Sequence, residues 1–157
     1  MPMRLGVALW AIVLLTGFAP APLPRDRSNE VNLRTLQGVW KLVDVRKEGK
    51  AEIDDATKLQ DIRFEIKGET FRTLPVGPRG PGTVYRLTLD SSRSPVWMTL
   101  SRQEGDNVQL IEGVVRLQGD RLTFCYALPG VQPVRRPERF DTDQKGQMQM
   151  TLVREKR

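Results

Sequence analysis

The chain has 157 residues, a formal net charge of +6 and no histidine. The absence of histidine excludes Ser–His–Asp and Cys–His catalysis as usually built, as well as His-ligated zinc. The single cysteine, Cys125, excludes an intrachain disulfide bond. The basic residues are dispersed among acidic ones without a nucleic-acid-binding motif, so the composition predicts an ordinary solvated surface and no nucleic-acid partner.

Residues 1–21 have the layout of a secretory signal peptide. Arg4 precedes an uncharged apolar run over residues 5–18, and Ala19-Pro20-Ala21 supplies small residues at positions −3 and −1 of a cleavage site. Pro22 would follow the cut, which leaves an uncleaved membrane anchor as the alternative. Residues 22–32 are rich in proline and polar residues and are expected to form a flexible linker. The predicted location is therefore the periplasm, the cell envelope or the extracellular space.

Residues 33–157 are expected to form one domain of β-strands. Apolar and polar residues alternate with a period of two in several segments, and short turns rich in glycine, asparagine and aspartate separate these segments. The period places alternate side chains on opposite faces of a strand. The predicted strands are Leu36–Val45, a segment through Ile62, Phe64 and Ile66, Thr70–Leu74, Thr83–Leu89, Pro95–Ser101, Val108–Leu117, a segment through Leu122, Phe124 and Tyr126, and one through Met148, Met150 and Leu152.

Two irregular features interrupt this pattern. Ile53–Leu59 contains two aspartates and a lysine and is expected to form a short helical turn capped by an aspartate. Gly113 lies within a long strand and is expected to mark a β-bulge. Gly- or Pro-rich loops are predicted at Pro75–Gly82 and Pro129–Pro137.

About eight strands with mostly short connections predict an all-β, antiparallel, up-and-down arrangement. There is no βα alternation to indicate a parallel sheet. Closure into a barrel would leave no exposed strand edge, and a β-sandwich is the alternative. An eight-stranded barrel is wide enough to be filled by its own side chains or to hold one small ligand.

The first strand carries a resemblance to a known family. Gly38-Val39-Trp40 resembles the Gly-x-Trp signature of lipocalins, and Leu36–Val43 is similar to the opening of lipocalin-like and fatty-acid-binding barrels. The resemblance implies that Trp40 closes the base of the barrel and that a basic residue from the end of the chain packs on it, for which Arg154 is the positional candidate. The Arg-x-Tyr carboxylate anchor of fatty-acid-binding barrels is not matched, because residues 154–156 read Arg-Glu-Lys.

Almost all of residues 33–157 is similar to a family of small exported domains of unknown function that is expanded in planctomycete bacteria. This resemblance implies a lipocalin-like exported domain and no particular activity. The pieces that carry it, in order, are Leu36–Trp40, Gly49-Lys50, Leu117–Leu122 followed by Cys125, Arg136–Phe140 and Leu152–Arg154.

Two groups of residues are candidates for binding sites. A ligand in the barrel interior would contact inward-facing apolar side chains, although the same residues would equally form a packed core; they are Trp40, Phe64, Tyr85, Phe124 and Met150. Arg135, Arg136 and Arg139 place three guanidinium groups in one loop, which suits an anion. Their alternative role is to fix the loop through ion pairs with Glu138, Asp141 and Asp143.

No metal site or cofactor is predicted. Asp54 and Asp55, with Glu52 nearby, do not match the spacing of an EF-hand loop and are interpreted as a helix cap with solvated acids. Cys125 lies on the strand face opposite Phe124 and Tyr126, and is interpreted as a buried, structural thiol rather than a reactive one.

The sequence therefore predicts a non-enzymatic exported barrel, with two alternatives for its role. It is a structural or protein-interaction module of the cell envelope, or it is an extracytoplasmic carrier of a small apolar or amphipathic ligand. A filled interior would favour the module and a hollow one the carrier, because a filled core has no room for a ligand. The predicted partner is an envelope protein or a small apolar ligand, and a membrane only if the leader is retained.

Overall fold

The computed structural model describes residues 30–52, 61–75, 82–130, 135–141 and 144–156. The predicted signal peptide at residues 1–21 and the helical turn at Ile53–Leu59 lie outside these ranges. The described residues form one short helix and nine strands: α1 Leu33–Leu36, β1 Gly38–Lys47, β2 Lys50–Ala51, β3 Arg63–Lys67, β4 Thr70–Thr73, β5 Val84–Asp90, β6 Val96–Glu104, β7 Asn107–Gln118, β8 Arg121–Ala127 and β9 Gln147–Arg154. Within the same ranges, no helix has the length and apolarity needed to span a membrane.

Eight of the strands close into an antiparallel up-and-down barrel of the lipocalin-like type. Strands β3 to β9 pair in sequence order, β1 pairs with β3, and the pairing of β1 with β9 closes the circle. The two-residue strand β2 is an extra element that pairs with the end of β1. The predicted barrel is thus confirmed over the sandwich, and closure removes the unpaired edges of an open sheet.

The sheet is regular at Gly113, where a bulge is predicted from the sequence, and irregular in β1. Gly113 continues the ladder opposite both Met98 and Tyr126, so the bulge expected there is wrong. The register shifts instead in β1, between Leu42 and Asp44. Gly113 is needed for a different reason: a Cβ atom there would lie 2.2 Å from the carbonyl oxygen of Cys125.

A short helix closes one end of the barrel, which we call the base. The Asn32 side chain accepts a hydrogen bond from the Thr35 N–H at 2.9 Å, and the Thr35 hydroxyl accepts one from the Asn32 N–H at 3.0 Å, which forms a reciprocal cap. This cap positions Leu36, which is fully buried. Val31 also belongs to the core, so the packed part of the chain begins two residues before the expected boundary at residue 33.

The inward-facing side chains fill the barrel from the base upward. A void large enough for water would leave accessible area on the side chains that border it. Twelve inward-facing side chains instead retain 2% exposure or less. The residues that share this burial are Leu36, Trp40, Ile66, Phe71, Leu87, Met98, Leu100, Val115, Leu117, Leu122, Phe124 and Leu152. The opposite end, which we call the mouth, carries the turns at Glu48-Gly49 and Gly105-Asp106.

Part of the β8–β9 connection packs on the outside of the barrel. We call residues 135–141 the outer flap. Phe140 lies against Arg116, whose guanidinium carbon is 4.6 Å from the centre of the ring. The carbonyl of Asp141 lies 3.9 Å from the sulfur of Cys125, and both Cys125 and Val114 are fully buried although they face outward. The flap therefore adds a small second core to the outer face of β7 and β8.

Candidate functional site

The base of the barrel is closed by the contact that the Gly-x-Trp resemblance predicts. The guanidinium carbon of Arg154 lies 4.2 Å from the ring centre of Trp40, which confirms the expected packing. Arg154 also donates hydrogen bonds to the carbonyls of Gln37 and Thr35, the latter at 2.6 Å, and pairs with Asp120 at 3.4 Å. The Trp40 indole N–H donates to the carbonyl of Leu36 at 2.9 Å.

Gly38 makes this arrangement possible. It has a φ of +126°, in the region that favours glycine, and a Cβ atom would lie 3.2 Å from Nη1 of Arg154. The glycine of the signature thus leaves space for the guanidinium group of Arg154. The base is a structural clamp with its polar groups satisfied.

The structure divides the five predicted ligand-lining residues into two groups. All five face inward, but Trp40 and Phe124 have 1% exposure or less and Phe64 has 6%, so these three belong to the packed interior. Tyr85 and Met150 are only partly buried. Only the mouth half of the barrel interior would therefore be accessible to a ligand.

Five inward-facing side chains gather at the mouth, and we call them the mouth cluster. They come from β5 to β9 and are Tyr85, Arg102, Gln109, Tyr126 and Met148. The guanidinium carbon of Arg102 lies 5.7 Å from the Tyr85 ring centre, and Arg102 stands directly opposite Gln109 in the β6–β7 register. The Tyr126 hydroxyl lies 2.8 Å from the Met148 sulfur.

Burial is the main influence on the pKa of Tyr126. Burial raises the pKa of Tyr126 to about 12, with smaller contributions from Tyr85 and Cys125. Tyr85 is on β5 and Tyr126 is on β8, which are not neighbours in the sheet. Both side chains are on the inward face of their strands.

Two polar atoms of the mouth cluster are shielded from solvent and have no hydrogen-bond partner among the described residues. They are Nε of Arg102 and Oε1 of Gln109. The Nη2 end of Arg102 is paired with Glu104, whose side chain is 47% exposed. A buried polar group without a partner is uncommon in native structures, where such groups are bonded to protein or to ordered water, so each exception needs an explanation.

Arg102 and Gln109 were not among the residues selected from the sequence. The predicted strand Pro95–Ser101 ends one residue before Arg102, whereas Gln109 lies within the predicted strand Val108–Leu117. The alternation of Met98 and Leu100 continues one step further to Arg102, and that signal places its side chain inside the barrel.

The arginine loop lies on the outer face, in the outer flap. Arg136 donates to the carbonyls of Met98 and Gly113 at 3.1 and 2.8 Å, and its guanidinium carbon lies 4.6 Å from the ring centre of Trp97. It also pairs with Glu112 at 2.7 Å, and its side chain is 15% exposed. The guanidinium group is therefore already engaged, which supports a role in fixing the loop.

The partner of Arg136 differs from the acids that the sequence suggested. Glu112 lies on β7, whereas the expected partners Glu138, Asp141 and Asp143 are close in sequence. Asp143 lies outside the described residues. Arg135 and Arg139, the other members of the predicted anion site, are exposed.

Cys125 is sealed beneath the outer flap. Burial raises the pKa of its thiol to about 12, and the carboxylate of Asp141 adds to the shift. The thiol therefore stays protonated near neutral pH, which is the opposite of an activated nucleophile. Within the described ranges, no group of three or more metal-ligating side chains is close enough together to hold a metal ion.

Comparison of the chain with protein-family models, with curated proteins and with solved structures gives no match. The class of protein is therefore defined by its architecture alone, a closed lipocalin-like barrel with a filled base and a polar cluster at its mouth.

Proposed function

We propose that the protein is an exported, non-enzymatic barrel that acts as a protein-interaction module of the cell envelope. The observation that carries this proposal is an apolar strip on the outer face of the barrel, near its mouth. The strip consists of Val84, Val108 and Leu110, which are 49%, 57% and 49% exposed. Apolar side chains that are exposed together favour contact with a partner, whereas single ones are ordinary.

The register places the three residues on one face of β5 and β7, with the polar side chains of β6 between Val84 and the other two. Val108 stands directly opposite Gln103, and Arg86 stands opposite Ser101, which places Val84 beside Gln103 on the other side of β6. Leu110 follows Val108 on the same face of β7. The strip therefore crosses three adjacent strands, and it lies outside the filled interior, so occupation of the strip needs no change in the core.

Two chemical properties of the chain support a non-enzymatic role. The chain has no histidine to act as a general base near neutral pH. Its only thiol is buried and holds its proton. Export and membership of the planctomycete family are parts of the same proposal, and they rest on the features of residues 1–21 and on the ordered sequence pieces given above.

A photo-crosslinking experiment in the producing cell tests the interaction module. We would place p-benzoylphenylalanine at Val108 and, as a matched control, at Gln118, which is exposed on the same face at the other end of β7. We expect one protein adduct of defined mass at Val108 that is absent at Gln118. The purified partner should then bind Val108→Asp at least tenfold more weakly than Gln118→Asp. Equal adducts at both positions, or equal binding by both variants, would contradict the proposal.

A second candidate function is supported by a separate observation. Inward-facing apolar side chains at the mouth are only partly buried, among them Tyr85, Ile111, Met148 and Met150. This partial exposure supports a carrier that holds a small amphipathic ligand in the mouth half of the barrel. Native mass spectrometry of the protein isolated from its own compartment tests it, because a reproducible adduct lost on mild activation would give the mass of the ligand. The same spectrum reports whether residues 1–21 are still attached. A bare polypeptide would leave only the interaction module.

A further inference from the structure

The two unpartnered atoms of the mouth cluster define the chemistry that would occupy it. We infer that Arg102 and Gln109 bind the uncharged head group of a short single-chain amphiphile, with a carboxamide or a hydroxyl that both accepts and donates a hydrogen bond. This inference rests on the carrier as the second candidate function, and it adds a head-group site and a ligand class to it.

The two atoms are complementary, and they belong to residues that stand directly opposite each other in the register. Nε of Arg102 carries an N–H that can only donate, and Oε1 of Gln109 can only accept. Residues directly opposite each other in an antiparallel pair have Cβ atoms about 4.5–5.5 Å apart. A group that offers one acceptor and one donor side by side satisfies both atoms at once, as a carboxamide or a hydroxyl does.

The charge of the site argues against an anionic head group. The positive charge of Arg102 is already paired with the carboxylate of Glu104. A second carboxylate beside this pair would meet the negative charge of Glu104 at short range. The ring of Tyr85 lies against the guanidinium group and restricts its orientation. An uncharged head group therefore fits better than a fatty acid.

The surroundings determine the length of the tail. Next to Arg102 and Gln109, the walls present the partly exposed side chains of Ile111, Met148 and Met150. Leu100 and Phe124 stand directly opposite Ile111 and Met150 in the register and are both 1% exposed, so the packed interior begins at that level. The apolar depth is therefore shallow, and a chain of about eight carbons is a better probe than a long one.

Methyl NMR on the full mature chain tests this site directly. With ¹³C-methyl methionine, Met148 and Met150 report on the mouth and the fully buried Met98 reports on the packed interior. We would titrate octanamide, octanol and octanoate separately. We expect octanamide and octanol to shift the signals of Met148 and Met150 and not of Met98, with binding at least tenfold tighter than that of octanoate.

Three substitutions test the head-group site. Arg102→Met and Gln109→Leu should each weaken octanamide binding about tenfold, because each leaves one hydrogen-bonding group of the ligand amide without its partner. Glu104→Gln should reverse the preference in favour of octanoate, since the charge of Arg102 then lacks its partner. The matched controls are Arg72→Met and Glu65→Gln, which remove the members of an ion pair on the outer face of β3 and β4. Neither control should change the binding.

The outcomes separate this inference from the carrier function. If octanoate binds the unchanged protein as tightly as octanamide, the head-group assignment is wrong while the carrier stands. If Arg102→Met and Gln109→Leu both keep the Met98 signal of the folded protein and bind octanamide normally, the assignment is also wrong. If no amphiphile shifts Met148 or Met150, the head-group site is refuted, and the carrier is refuted as well if the native mass spectrum shows a bare polypeptide.

Discussion

Arg154 is expected to be the most important polar side chain for the stability of the barrel. Its substitution by methionine removes the guanidinium group and retains most of the apolar stem. The change breaks the stacking on Trp40, the hydrogen bonds to the carbonyls of Gln37 and Thr35, and the ion pair with Asp120. These contacts join the last strand to the first strand and to the helix before it.

The magnitude follows from these contacts. The Arg154 side chain is 27% exposed, so water can partly replace its hydrogen bonds, and we assign each of them about 1 kcal/mol. The stacking on Trp40 contributes about 1 kcal/mol, and the ion pair with Asp120, which is 53% exposed, contributes only a few tenths of a kcal/mol. We expect Arg154→Met to lower the free energy of unfolding by about 3 kcal/mol, a large part of the roughly 5–15 kcal/mol of a typical domain.

Urea unfolding measured by tryptophan fluorescence and by circular dichroism is the assay. With a slope of about 1.5 kcal/mol per molar urea, a loss of this size lowers the midpoint by about 2 M. Arg63→Met is the matched control, because Arg63 pairs with Glu155 at 3.2 Å and both side chains are well exposed. We expect this control to cost less than about 1 kcal/mol.

Two results would refute this reasoning. If Arg154→Met and Arg63→Met unfold at the same urea concentration, the contacts of Arg154 do not stabilise the barrel. If Arg154→Lys is as stable as the unchanged protein, a point charge is sufficient, and the planar fork over Trp40 is not what matters.

Two further predictions concern the outer flap and the buried acids. Arg136→Met should loosen the outer flap and raise the rate at which a disulfide reagent labels Cys125 at pH 8 by at least tenfold. Arg139→Met, at an exposed position, should leave the labelling rate unchanged. Rapid labelling of Cys125 in the unchanged protein would contradict its burial. Stability should fall as the pH rises from about 9 to 12, because Cys125 and Tyr126 keep their protons in the folded protein up to a pKa of about 12 but lose them near 9.0 and 10.0 when unfolded. Urea midpoints measured from pH 7 to 11 check this, and Tyr126→Phe should make the decline shallower.

The face on which a side chain lies was the most predictable property of this fold. Cys125 is expected from the sequence to face away from Phe124 and Tyr126, and it lies on the outer face beneath the flap. The alternation of faces along a strand depends only on neighbouring residues, so the face of a side chain can be predicted without knowing which strands pair. The number of strands and their closure followed from the same pattern together with the short connections.

The remaining features depend on contacts that are distant in sequence. The pairing of Arg136 with Glu112 joins residues 24 positions apart and has no local signal. Whether the interior is filled could not be judged from alternation, because a strand looks the same beside a core and beside a cavity. The four-residue helix α1 is too short for a helical period to appear, and only its Asn32 cap marks it.

The pairing of β1 with β9 has a consequence for the order in which the molecule can form. A chain that emerges from its amino end presents β1 first, yet the neighbour that closes the circle is the last strand. The hydrogen bond from Arg154 to the carbonyl of Gln37 spans 117 positions, so no truncated or half-emerged chain can complete it. Local hairpins such as β6–β7 can form early, whereas sealing must wait for the carboxyl end, which makes the final step a slow, long-range one. Until β9 is available, the barrel cannot close.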